Sequence, residues 1–231
     1  MRRIALVGLL AAVLAACTKP PGEAGLSKPR PAIISDPYYW GSVYPPPDGT
    51  VILTYDDGPD EYTLQMAQWL HDQGVPATFF IVGCRFDGQS TSTSAMCTLP
   101  HKFPVSLIGQ IAALGHRVAN HSHHHLDLAT LSGAPQTLHD ELAATQALLD
   151  PYITDGVYLF RAPYHSWDRA DALAIQQFHD LDKVLGSYGA DLDEADWSCA
   201  SSTGPNPNLT PEQCAQLYYQ AIHGRGSGIV Q

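Results

Sequence analysis

Residues 50–59, Thr50-Val51-Ile52-Leu53-Thr54-Tyr55-Asp56-Asp57-Gly58-Pro59, run a β-rich stretch straight into two adjacent carboxylates and a sharp turn. The stretch 51–55 reads as a strand, because Val51, Ile52, Thr54 and Tyr55 are β-branched or aromatic. Downstream, 62–73 places Leu64, Ala67 and Leu70 on one helical face, and 77–82 returns to β-rich sequence. The rhythm repeats with a helix over 105–114, a strand at Arg117–Asn120 and a helix over Pro135–Leu149 carrying Leu138, Leu142 and Leu149. Strands at 158–161 and 183–187 then flank a helix over 168–179, and a helix over 211–223 precedes a last strand at Gly228–Val230. Such alternation predicts an α/β fold with a parallel sheet, open or closed into a barrel, covered by helices. In these folds chemistry gathers at the carboxyl ends of the strands.

The chain has 231 residues, 45% apolar and 15% charged, enough for one sizeable core and too few for two comfortable domains. Its 18 prolines and 19 glycines follow no period, which excludes collagen-like and solenoid repeats. Twelve Lys and Arg against 23 Asp and Glu give a net charge of −11, which repels a phosphate backbone. Nucleic acid is therefore not an expected partner; a neutral ligand or a cation suits the chain better.

Met1-Arg2-Arg3 is a basic head, and residues 4–16 form an uncharged apolar run too short to span a bilayer as a permanent helix. Residues 1–16 thus read as an export signal. The run closes on Leu14-Ala15-Ala16-Cys17, which resembles the lipobox of bacterial lipoproteins and implies cleavage before Cys17 and lipidation of its thiol. Ordinary secretory cleavage near Ala16 is the competing reading. Residues 17–37, with Pro20, Pro21, Gly22, Gly25, Pro29 and Pro31, read as a lipid-anchored flexible tether, and 38–231 as the functional domain. The expectation is an exported monomer anchored to the bacterial cell envelope. Export also implies oxidised cysteines. Cys84 with Cys97 and Cys199 with Cys214 would each close a short loop, each stabilising by about 3 kcal/mol. A zinc site built from all four thiolates competes weakly, since no close Cys-x-x-Cys pair is present.

Asp56 and Asp57 repel each other unless a cation or a proton relieves them, although Asp-Asp-Gly-Pro is also a good solvated turn. The strand at Arg117–Asn120 leads into His121-Ser122-His123-His124-His125. His121 and His125 are four apart, so one helical turn would aim both imidazoles the same way, as a divalent metal site requires. The bland alternative is a solvated loop that binds metal nonspecifically. Two imidazoles and one carboxylate make a three-ligand set with room for water. Arg161-Ala162-Pro163-Tyr164 closes the next strand, and Asp193-Glu194-Ala195-Asp196-Trp197 lies near the following one. An Arg–Asp pair is more often structural than catalytic, but Arg161 at a strand end could orient a carboxylate.

In order, Thr54-Tyr55-Asp56-Asp57-Gly58-Pro59, His121-Ser122-x-x-His125, Arg161-x-Pro163-Tyr164 and Asp193-x-x-Asp196-Trp197 resemble four of the five motifs of the carbohydrate esterase family 4 polysaccharide deacetylases, the NodB-homology domain. Residues 115–121 also look like the family's lead into its histidine motif. The resemblance covers about Thr50 to Gln231 and implies a NodB-like distorted (β/α) barrel with fewer than eight strands, the last finishing at the end of the sequence. It implies that Asp57, His121 and His125 bind a divalent metal, zinc first with cobalt or nickel as substitutes. Asp56 would be the general base, the Tyr164 backbone N–H would help hold an oxyanion, and Arg161, tied to Asp196, would orient Asp56. Ser122 would support the histidine loop, and Pro163 and Trp197 would line the substrate cleft.

The activity so implied is hydrolytic removal of N-acetyl, or alternatively O-acetyl, groups from an envelope or environmental glycan. Peptidoglycan N-acetylglucosamine is the first substrate and chitin-type oligomers the second. The family's fifth motif, a Leu-x-His whose histidine protonates the departing amine, is not found before Gln231. Either the natural chain continues past Gln231, or it is a catalytically impaired glycan-binding relative. His165 is a weak substitute acid, since a lone histidine beside a motif is more often a surface residue.

Overall fold

The computed structural model describes residues 46–89 and 94–231. The export signal, the tether, Cys17 and the domain start at residue 38 lie outside the described residues. The described strands are β1 (Val51–Gly58), β2 (Ala77–Ile81), β3 (Arg117–Asn120), β4 (Tyr158–Leu159), β5 (Val184–Leu185) and β6 (Gly228–Val230). Their helices are α1 (Thr63–Asp72), α2 (Ser106–Ala113), α3 (Pro135–Leu149), α4 (Arg169–Ile175) and α5 (Pro211–Arg225).

Every ladder is parallel, in a four-stranded sheet of order β3-β2-β1-β6 and a pair β4-β5. Single parallel bridges, Asn120 to Phe160 and Leu192 to Val230, join β3 to the end of β4 and the chain after β5 to β6. The α/β architecture with a parallel sheet is thus as expected, built from two sheets linked by bridges and not from one continuous ladder. The strands expected at 158–161 and 183–187 shorten to two residues each. Gly186, at φ +144°, brings the backbone so near that a Cβ there would lie 2.2 Å from the Phe160 carbonyl oxygen, and regular pairing stops. The helix expected over 168–179 ends at Ile175 and gives way to a 3-10 turn at His179–Leu181.

β2 is buried along its whole length, as a central parallel strand covered on both faces should be. Phe79 and Ile81 pack with Ala67 and Leu70 of α1 and Ile108 and Ile111 of α2. The alternate residue, Phe80, lies beneath the Arg161 guanidinium, 4.3 Å from ring centre to Cζ. A second cluster joins Leu138 and Leu142 of α3 to Phe160, Ala172, Ile175 and Val184. Each such side chain contributes about 1.5–3 kcal/mol by leaving water. Disulfides join Cys84 to Cys97 and Cys199 to Cys214, so these sulfurs are not metal ligands. No helix among the described residues is long and apolar enough to cross a membrane.

Candidate metal centre and active site

Between paired positions, β1 advances from Tyr55 to Gly58 while β2 advances only from Phe79 to Ile81. The extra residue makes a bulge that contains Asp56 and Asp57, with Asp57 at φ +66°. In a regular strand adjacent side chains point to opposite faces. A bulge re-aims them, and here both carboxylates reach one histidine. Asp57 Oδ1 lies 3.2 Å from His121 Nε2 and 2.8 Å from His125 Nε2, and Asp56 Oδ2 lies 3.7 Å from His121 Nε2.

The helical turn expected across 121–125 is absent. His121 leaves β3 directly into an irregular loop in which Ser122 and His125 take φ of +63° and +55°. Side-chain oxygens do what helical hydrogen bonds would have done: Asn120 Oδ1 accepts the Ser122 N–H at 3.0 Å, and Ser122 Oγ accepts the His125 N–H at 3.0 Å. Asn120 is fully buried in this role. Non-glycine residues held at positive φ cost about 1–3 kcal/mol each and gather where function demands them. Of the seven among the described residues, four are Asp57, Ser122, His125 and Tyr164.

The ligating atoms of Asp57, His121 and His125 all lie within 4.8 Å of one another. Tetrahedral bonds of about 2.0–2.1 Å imply ligand spacings of about 3.3 Å, close to those seen. His121 Nδ1 donates to the Arg161 carbonyl at 2.8 Å, and His125 Nδ1 stands 3.1 Å from the Tyr164 hydroxyl. With a hydrogen on each Nδ1, each Nε2 is the nitrogen turned toward Asp57; it donates to the carboxylate while protonated and would offer its lone pair to a cation once that proton is gone. Burial alone would lower the basicity of His121, but the charges of Asp56 and Asp57 win and raise it. Burial likewise would raise Asp57, but hydrogen bonds and charge from His121 and His125 hold it well below the usual carboxylate range. Protons and divalent cations compete for the same lone pairs, so a cluster that draws protons this way fits a cation.

Asp56 has a different setting. Its side chain is 8% exposed, and Oδ1 accepts Arg161 Nη1–H at 2.8 Å. Oδ2 is buried without a hydrogen-bond partner. Arg161, fully buried, also donates from Nη1 to Thr54 Oγ1 (2.8 Å), from Nε to the Tyr188 carbonyl (3.0 Å) and from Nη2 to the Gly189 carbonyl (3.2 Å). The expected tie to Asp196 is therefore corrected: among the described residues no hydrogen bond or ion pair joins Arg161 to Asp196, and four of the five guanidinium N–H donors go to Asp56, Thr54 and two backbone carbonyls. Burial first, then the charges of Asp193, Asp56 and Asp57, raise the Asp196 carboxyl. Thr54 was missed as a site residue, although its place two before Asp56 on one strand was the signal.

Tyr164 stands at φ +57° in the one-turn 3-10 helix Pro163–His165 and is 68% exposed. Its ring meets that of His125 edge-on at 4.7 Å. Pro163 is buried beneath this turn, so it sets the turn and offers no cleft surface. Trp197, 69% exposed in the 3-10 turn Asp196–Ser198, packs against Gly204.

A chitooligosaccharide deacetylase of Bradyrhizobium sp. (strain ANU 289) is 33% identical over 151 residues, 64% of this chain and 59% of that protein. The chain thus spans less than two thirds of that relative's length. The chitin deacetylase from the fungal pathogen Colletotrichum lindemuthianum aligns in structure with a TM-score of 0.54 at 26% identity, covering 83% of this chain and 74% of that one. A carbohydrate esterase family 4 pseudoenzyme from Bacillus anthracis reaches a TM-score of 0.58 at 20% identity, covering 85% and 57%, a likeness of fold alone. The family model for polysaccharide deacetylase matches residues 44–182, more than half of the sequence, and takes in the bulge, the histidine loop and the Arg161–Tyr164 turn. The chain belongs to the polysaccharide deacetylase family.

Proposed function

We propose that this protein is a metal-dependent hydrolase that removes acetyl groups from a glycan, N-acetylglucosamine polymers of the peptidoglycan or chitin type before O-acetylated ones. The observation that carries this reading is the division of labour between two neighbouring carboxylates. Asp57 faces both imidazoles, while Asp56 keeps one oxygen unpartnered 3.7 Å from His121 Nε2. Asp57, His121 and His125 would hold the cation, zinc first, with cobalt or nickel able to replace it. A divalent cation supplies Lewis acidity there, polarising an acyl carbonyl and acidifying water.

The chain's own groups do the rest. Asp56 Oδ2 takes a proton from the water that attacks the acetyl carbon, and Arg161 fixes Oδ1 so that Oδ2 is the oxygen presented. The Tyr164 N–H, lifted by the positive φ of that residue, donates to the oxygen on which negative charge develops. The C–N bond of the tetrahedral adduct then breaks as the nitrogen gains the proton that Asp56 took from water, leaving acetate and a free amine.

Acetate release from N-acetylglucosamine oligomers, measured with zinc and after chelation, tests the proposal. Zinc-dependent release that Asp56→Asn lowers by about 10²–10⁴-fold supports it. Oligomer binding indifferent to chelation, with no turnover, would replace it by a glycan-binding role. We further propose export and lipid anchorage at Cys17, supported by residues 1–17; an unmodified, soluble chain by intact-mass measurement would overturn that.

A further inference from the structure

The inner face of α3 carries three buried polar residues, Glu141, Thr145 and Gln146, where an amphipathic helix would bury apolar ones. All three reach the histidine loop or the residue that starts it. Glu141 Oε2 accepts the His124 N–H at 2.8 Å, and Oε1 pairs with His124 Nδ1 in a short contact. Thr145 Oγ1 donates to the Ser122 carbonyl at 2.9 Å, and Asn120 Nδ2 donates to the Leu142 carbonyl at 2.9 Å and to Gln146 Oε1 at 3.3 Å. From the other side, the Gly83 and Cys84 N–H groups donate to the carbonyls of Ser122 and His123 at 3.1 and 2.9 Å. Gly83 lets these backbones approach, since a Cβ there would lie 2.1 Å from Thr145 Oγ1 and 2.4 Å from His123 Nδ1.

We infer that Glu141, seconded by Thr145, is a positioning residue for the metal centre, an inference that rests on the metal reading above. A buried carboxylate is costly unless hydrogen-bonded, and Glu141 directs both of its oxygens at one residue, the immediate neighbour of the ligand His125. The loop has no helix to hold its shape, and Ser122 and His125 stay at positive φ only while their surroundings over-determine them. Glu141 supplies that constraint, acting through His124 and the loop backbone without touching the cation.

The test is zinc affinity of the full chain, measured by competition with a chromophoric chelator, zinc being the only probe. Glu141→Ala should weaken affinity by about 10–100-fold, the usual cost of losing a partner behind the ligands. Glu141→Gln, which still accepts the His124 N–H, should stay within about threefold of the unaltered protein, and Thr145→Val should lose roughly fivefold. Leu138→Ala, a cavity on the same helix, controls for general destabilisation and should leave affinity unchanged. Unchanged affinity in folded Glu141→Ala, or an equal loss in Leu138→Ala, overturns the inference. Should Glu141→Ala fail to fold, Thr145→Val decides alone, and unchanged affinity there has the same force. No zinc binding by the unaltered protein would instead remove the metal reading itself, and this inference with it.

Discussion

The site has two walls that begin at adjacent residues and differ in almost every physical respect. On the inner wall, Asp56 is buried against Arg161, which is itself clamped by Thr54 and by two carbonyls of the chain after β5. On the outer wall, Asp57 is 54% exposed and bonds two imidazoles, one of which, His125, adjoins a tyrosine that stands mostly in water. The inner wall is a pre-built, desolvated acceptor, and the outer wall holds charge at the rim. Sequence adjacency makes the two carboxylates look redundant; the bulge in β1 turns one toward a guanidinium and the other toward two imidazoles.

The comparison breaks most visibly if the two carboxylates are exchanged by mutation. Asp56→Asn should lower turnover by about 10²–10⁴-fold while zinc affinity stays within a few-fold, whereas Asp57→Asn should lose zinc affinity by at least about tenfold and turnover along with it. Chelator competition alongside acetate release separates the two, and parallel losses in both variants would erase the distinction. Arg161→Leu comes next. It leaves a buried carboxylate unpaired and should cost about 3–5 kcal/mol in urea unfolding, whereas Tyr164→Phe on the outer wall should cost almost nothing there. Tyr164→Phe keeps the backbone N–H but removes the hydroxyl beside His125 Nδ1, so zinc affinity should fall roughly fivefold with turnover at saturating zinc preserved.

The smallest effect lies outside both walls. His139 pairs with Asp140 and Asp180 on the surface; burial is the largest single influence and opposes its proton, but hydrogen bonds and charge from the two carboxylates together prevail and raise its basicity. A raised folded-state value means the stabilisation is fully present below the unfolded histidine's pKa and is lost as pH rises through the folded one. His139→Gln should therefore cost about 0.5 kcal/mol at pH 5 and nothing at pH 9, read from urea midpoints, solvent screening keeping the figure small. A cost that persisted at pH 9 would point to packing on Phe178, 4.3 Å away, as the real contribution.

Much of this was legible in the chain. The period of apolar residues in 62–73 and 135–149 marked helices that the structure contains, because burial of one face repeats every turn. The carboxylate pair, His121, His125 and Arg161 stood out by residue type and by their places after strands, and Tyr164 through the family resemblance. The partner of Arg161 did not, because which acid an arginine meets depends on how strands far apart in sequence are brought side by side. Glu141 was silent for the same reason: a glutamate in a helix is ordinary until its neighbours are known.

By itself the sequence determined the alternation of strands and helices, the pairing of nearby cysteines and the set of groups able to bind a cation, since these follow from local periodicity, short loops and side-chain chemistry. Tertiary structure alone decided where those groups point. A bulge at Asp57, positive φ at Ser122 and His125, and a buried guanidinium spanning β1 and the chain after β5 all arise from contacts between segments distant along the chain. The conformations that aim the site cost free energy locally and are held only by the packed whole.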